Sequence, residues 1–99
     1  MTDLSILRHH ALGLRKIRKI AFAWAEQAEQ EFGMQCIYQE GRTRDELLFT
    51  RPGVQGRLLA THNKVEINVE LGTLFRAFKS RIEDEIVKNL DALLEGKGH

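Results

Sequence analysis

The chain has 99 residues, enough to close one hydrophobic core and too few for two, so a multidomain enzyme is excluded. Fifteen Lys and Arg against fourteen Asp and Glu leave a net charge of +1, with 42% apolar and 29% charged residues; this is globular composition, neither disordered nor strongly basic. A single cysteine, Cys36, excludes an internal disulfide, and the longest weakly polar stretch, Ile20 to Ala25, falls far short of the roughly 20 residues of a membrane span. The start, Met1-Thr2-Asp3-Leu4, lacks the basic-then-apolar pattern of a signal peptide, so a reducing cytoplasm is the expected setting.

Leu4 and Ile6 alternate with Asp3, Ser5 and Leu7, which predicts a short edge strand. From Leu12 the period changes. Leu14, Ile17, Ala21, Trp24, Ala25, Ala28 and Phe32 fall on one stripe at spacings of three and four, the face of an amphipathic helix that Gly33 stops. The helix carries a charge gradient: Arg15, Lys16, Arg18 and Lys19 come early, Glu26, Glu29 and Glu31 late. That order opposes the helix macrodipole, so helix stability did not select it.

Between Met34 and Leu71 the pattern is β, interrupted by turn signals at Glu40-Gly41 with the polar run to Asp45, at Arg51-Pro52-Gly53, and at Thr61-His62-Asn63-Lys64. Four strands joined by short turns pair antiparallel. In the last, Val65, Ile67, Val69 and Leu71 alternate with Lys64, Glu66, Asn68 and Glu70, so one sheet face is dry and the other wet. Leu47, Phe49, Leu58 and Ala60 join the dry face, while Leu48 and Leu59 point to the wet one. After Gly72 a second helix is expected, with Thr73 as N-cap and Phe75, Phe78, Ile82, Ile86, Leu90 and Leu93 on its apolar stripe. The reading is an α+β domain of order β-α-β-β-β-β-α: a two-layer, single domain with an antiparallel sheet, two amphipathic helices on its dry face, an ordered part of about 4–94, and a flexible tail at 96–99.

No catalytic constellation, cofactor loop or metal set is expected. Cys36 alternates with Ile37 in a strand and reads as a buried small side chain. His9 and His10 are adjacent and diverge, unlike the i, i+4 pair of a zinc helix; His62 reads as a hairpin residue. Glu83-Asp84-Glu85 spread around a helix rather than converging on a cation. Two surfaces could carry contacts. Phe22 lies off the apolar stripe of the first helix, close to Arg15, Arg18, Glu26 and Glu29; with Arg15, Arg18 and Lys19 it makes a basic and aromatic patch, or it is an aromatic merely covered by arginine stems or a loop. The wet sheet face offers Leu48, Arg57 and Leu59.

The run Ile6-Leu7-Arg8-His9-His10-Ala11-Leu12-Gly13-Leu14, then Phe32-Gly33, then Leu48-Phe49-Thr50-Arg51-Pro52-Gly53-Val54-Gln55-Gly56, then Val69-Glu70-Leu71-Gly72 with Phe78-Lys79 and Ile82, resembles the putative polyhydroxyalkanoic acid system proteins. These are small bacterial proteins encoded near polyhydroxyalkanoate synthesis and granule genes. The chain differs in carrying Arg15-Lys16 where many relatives are acidic. The resemblance implies a genomic context and supplies no catalytic residues. The function expected from it is a non-enzymatic accessory or binding protein of polyhydroxyalkanoate metabolism. It would contact a granule-associated protein, the granule surface or a regulator, and a homodimer is possible. The alternative is a small helix-grip-like carrier of a hydrophobic acyl ligand, for which 99 residues leave little interior room. Nucleic-acid binding is weakest, given +1 overall.

Overall fold

A computed structural model describes residues 2–95. The alternating segments form β1 (Leu4–His9), β2 (Gln35–Gln39), β3 (Arg44–Arg51), β4 (Val54–Thr61) and β5 (Lys64–Leu71). The helical segments form α1 (Gly13–Phe32), a single turn α2 (Thr73–Arg76), and α3 (Lys79–Leu94). The strands make one antiparallel sheet in the order β1-β5-β4-β3-β2, with the N-terminal strand on an edge as its short alternating run implies. α1 packs on the central strands and α3 on α1 and β1, giving the two-layer α+β architecture expected. The tail expected at 96–99 lies outside the described residues.

Register explains which side chains meet. Leu4, Val69, Gly56, Phe49 and Cys36 form one cross-strand row; Ile6, Ile67, Leu58, Leu47 and Tyr38 form the next. Against these rows α1 lays Ile17, Ala21, Trp24, Ala25 and Ala28, and α3 adds Leu90 and Leu93 to close the core. Gly56 has a specific purpose. The Phe49 ring lies across its bare backbone, in space that a Cβ would fill, and meets Trp24 edge to face at 4.9 Å.

The residues that carry the family resemblance hold the elements together. Arg8 reaches from β1 to Asp91 of α3 (Nε to Oδ1, 2.9 Å). His10 Nδ1 accepts from the Leu12 N–H, which leaves the proton on Nε2 to donate to the Thr61 carbonyl at 3.1 Å. Gly13, at φ 81°, donates its N–H to the His62 carbonyl. Together these bonds fasten the start of α1 to the β4–β5 hairpin. At the other end of the sheet, Gly53 (φ 87°) lies under the Phe75 ring, and its carbonyl accepts from the Gly72 N–H at 2.8 Å. Arg51 Nη1 donates to the Phe32 carbonyl at 2.7 Å while its guanidinium sits over Phe75.

α1 keeps the unfavourable charge order read from the sequence: no acidic residue in its first turn and no basic one in its last. Its helicity therefore depends on the buried stripe and on Gly33, which ends it at φ 64°.

The C-terminal helix differs from expectation. It is not continuous from Thr73, and its first cap is Gly72, with Thr73 already helical. Phe78 leaves the helix at φ −111°, ψ 19° although no Gly or Pro stands near the break. Two contacts compete. Phe75 is fixed on Gly53 beneath Arg51, whereas Leu90 and Leu93 must seat in the core, and one straight rod does not satisfy both. Consequently Phe78 is 49% exposed instead of buried, and Phe32, the last residue of the α1 stripe, is exposed too. Phe78→Ala should therefore shift the unfolding free energy by no more than about 1 kcal/mol. Leu90→Ala, in the core, should cost about 3 kcal/mol. Urea midpoints of the two variants check the contrast; a large loss for Phe78→Ala would return that ring to the core.

Candidate functional site

Leu90 and Leu93 hold the C-terminal half of α3 against the core, but Ile86 and Ile82, one and two turns earlier, are only half-buried. The space beneath that raised half is a cleft of about 280 Å³. Trp24, Ala28 and Phe32 form its α1 wall, Phe49, Val54 and Val69 its floor on the sheet, and Phe75, Phe78, Ile82 and Ile86 the opposite wall. Apolar walls with a few convergent polar groups are the common composition of a small-molecule site.

The polar groups are few. Arg51, Arg81, Glu85 and Asn89 border the cleft, so two guanidiniums face one carboxylate. Arg51 is engaged with the Phe32 carbonyl and the Phe75 ring, while Arg81 has no ion-pair or hydrogen-bond partner among the described residues. Gln27 also lines the cleft, and its Oε1 is buried without a hydrogen-bond donor among the described residues. An unsatisfied buried acceptor is disfavoured by about 1 to 3 kcal/mol. Its terminal torsion is soft, so the amide can turn toward a donor.

The structure brings together part of the predicted basic and aromatic face. Arg18 makes a bidentate pair with the buried Asp45 (Nε to Oδ2 2.7 Å, Nη2 to Oδ1 2.9 Å), and Nη2 also donates to the Gly41 carbonyl. Phe22 is 41% exposed, off the apolar stripe as its spacing requires, with its ring stacked on Tyr38 at 4.1 Å. The Tyr38 hydroxyl donates to Asp45 Oδ2 at 2.6 Å, and the Gly41 N–H to Oδ1. Burial alone would push the Asp45 carboxyl up; the Arg18, Tyr38 and Gly41 donors outweigh it and hold the group below the usual carboxylate range. Burial, then the bond to Asp45, push the Tyr38 phenol up. Arg15 and Lys19 remain exposed beside this cluster. The sequence pattern puts Asp45 in a polar turn, yet it lies in β3 on the inner face; its i, i+2, i+4 spacing with Leu47 and Phe49 is the signal that could have found it.

Leu48, Arg57 and Leu59 lie on the outer sheet face. Leu48 pairs in register with Arg57 on one side and with Ile37, 61% exposed, on the other, and Arg57 reaches Glu46 at 3.6 Å. These residues are on the opposite side of the sheet from the cleft.

Cys36 is partly buried beside α1, its Sγ 3.8 Å from the Ala25 carbonyl; burial, and then the Glu29 carboxylate, push its thiol up. His9 and His62 are exposed, and both ring nitrogens of His10 are engaged with backbone groups. Among the described residues no group of three or more His, Cys, Asp or Glu could hold a metal ion, and no helix is long and apolar enough to cross a membrane.

Fold and cleft define a two-layer α+β domain whose one-sided antiparallel sheet shares an apolar cavity with its helices. The chain belongs to the family described as putative polyhydroxyalkanoic acid system protein, whose model matches residues 4–94. No curated protein and no solved structure matches it. Membership is consistent with a role related to polyhydroxyalkanoate.

Proposed function

We propose that this protein is a non-enzymatic accessory of polyhydroxyalkanoate metabolism that holds a hydrophobic acyl ligand in the cleft between the sheet and α3. The observation that carries this reading is the cleft itself. Its volume of about 280 Å³ holds several times the roughly 10 to 15 Å³ that one water needs, which is room for a short acyl chain. Chain length alone argues against a carrier for want of interior volume; raising one half of α3 supplies that volume at the surface of the core instead of inside it. The reading as a binder rather than a catalyst draws on the side chains with chemical potential: His10 is spent on backbone groups, Cys36 has a thiol held protonated, and Asp45 is saturated by donors.

Trp24, the single tryptophan, lines the cleft and makes its occupancy visible. Titrating the full chain with butanoate, hexanoate and octanoate should change Trp24 emission. Affinity should rise by about 0.8 kcal/mol per added methylene, roughly fourfold, until the cleft is full. Emission unchanged by octanoate at millimolar concentration would overturn the reading.

A second reading is favoured by the exposed Ile37 and Leu48 on strand β2 and its neighbour, with Arg57 and Leu59 beyond. This face would contact a granule-associated protein or a second copy. Sedimentation of the purified chain and recovery of partners by wild type against Ile37→Lys test it, and the acyl titration leaves it untouched.

A further inference from the structure

We propose that two copies of this chain join through the free edge of β2, continuing the sheet across a two-fold axis and laying their α1 helices antiparallel on one face. The cleft plays no part in this: α1 lines it with Trp24, Gln27 and Ala28, on the other flank of the helix. β2 is an outer strand, paired with β3 alone. Soluble proteins blunt such edges with charges, proline or a covering element. Gln35-Cys36-Ile37-Tyr38-Gln39 has neither charge nor proline, and Ile37 is 61% exposed. On the inner side Cys36 and Tyr38 are only half-buried, whereas Phe49 and Leu47 opposite them on β3 are fully buried. Among the described residues no backbone hydrogen bond joins β2 to any strand but β3. The other edge is guarded, since β1 carries Arg8 tied to Asp91 of α3.

Charge selects a second copy as the occupant. Exposed side chains flank Phe22 along α1, Arg15 and Lys19 before it and Glu26 and Glu29 after it. At about 100° per residue all four lie within about 60° of Phe22 around the helix. None has an ion-pair partner among the described residues. Within one chain this order sets like beside like and opposes the macrodipole. Turned end for end, the stripe is its own complement: Arg15 and Lys19 of one copy face Glu29 and Glu26 of the other. The end with the bases and the positive dipole then meets the end with the acids and the negative dipole. The β-ladder imposes this orientation, because the two-fold axis of an antiparallel strand pair stands normal to the sheet, keeping both helix layers on one face and reversing their direction. The two centres also coincide. Phe22, the midpoint of the charge stripe, stacks on Tyr38, next to Ile37 at the midpoint of β2. Ile37 thus pairs with its own copy at the axis, and the two exposed Phe22 rings flank it.

The test is sedimentation equilibrium of the full chain. Wild type should dimerise, and several-fold more weakly at about 1 M salt, where the screening length is about 3 Å, than at about 0.05 M. The acidic variant Arg15→Glu with Lys19→Glu, and the basic variant Glu26→Lys with Glu29→Lys, should each be monomeric where wild type is dimeric. Mixing the two should restore a one-to-one dimer. Both variants bring the α1 charges into line with its dipole and touch only exposed positions, so loss of the dimer is not loss of the fold; circular dichroism verifies this. Ile37→Lys, which sets two ammoniums together at the axis, should also give monomer. A wild type still monomeric at about 300 μM, weaker than the millimolar-to-micromolar range of a modest interface allows, overturns the proposal. So does a dimer that survives both charge reversals, or a mixture that fails to reassociate. A dimer broken by Leu48→Lys and spared by the reversals lies on the outer sheet face, and overturns it too.

Discussion

Asp45→Asn should lower the unfolding free energy at neutral pH by about 3 kcal/mol, at the lower end of the loss caused by removing one partner of a buried ion pair. The carboxylate accepts four hydrogen bonds, two from Arg18, one from Tyr38 and one from the Gly41 N–H. An amide keeps the shape but brings two donors of its own into a site already full of donors, and it leaves the guanidinium uncompensated. The lower end applies because Arg18 retains some access to water, its side chain being 28% exposed. The pH dependence has a definite sign. With its folded pKa lowered, Asp45 contributes stability that is fully present above the unfolded carboxylate value of about 4 and is lost as pH falls through the folded value. Urea denaturation of wild type and variant should therefore show a gap that is widest near pH 7 and shrinks below about pH 4. A gap independent of pH would mean that ionised Asp45 is not what the donors hold.

Phe49→Ala should cost about 4 kcal/mol, the usual loss for a large aromatic removed from a core. Its ring is buried, spans the bare backbone of Gly56, meets Trp24 and forms part of the cleft floor. Gly56→Ala should by itself destabilise by about 1 to 3 kcal/mol, because the new methyl takes the space of the ring. In the Phe49→Ala background the same substitution should cost little. A double-mutant cycle of denaturation midpoints measures this coupling. Additive effects would show that ring and glycine do not share the site.

Most of the scaffold was legible because it rests on periodicity. Val65 to Leu71 state a two-residue period and Ile17 to Ala28 a three-and-four period, and each has one physical solution beside a dry sheet face. The break at Phe78 was hidden because it arises from Phe75 meeting Gly53 far away in sequence, which no local pattern encodes. The cleft depends on that break, so it was hidden as well: Ile82 and Ile86 continue the stripe of Leu90 and Leu93 without announcing that they stop short of the sheet. Arg18 and Phe22 were visible as a patch. Asp45, which binds Arg18 and through Tyr38 supports Phe22, looked like one more turn residue among Glu40, Gly41 and Arg42.

The distribution of pairings along the chain also sets an order of assembly. β2 through β5 are successive hairpins that can zip as each leaves the ribosome, whereas β1 waits for β5, its partner from the far end of the chain. α1 gains nothing from its own dipole, because its charges oppose it, and its stability rests on the sheet it lies on. The cavity beneath α3 exists only once α3 is docked on the rest of the fold. A molecule bound there would favour the docked helix over any opened state, because it binds only the closed arrangement.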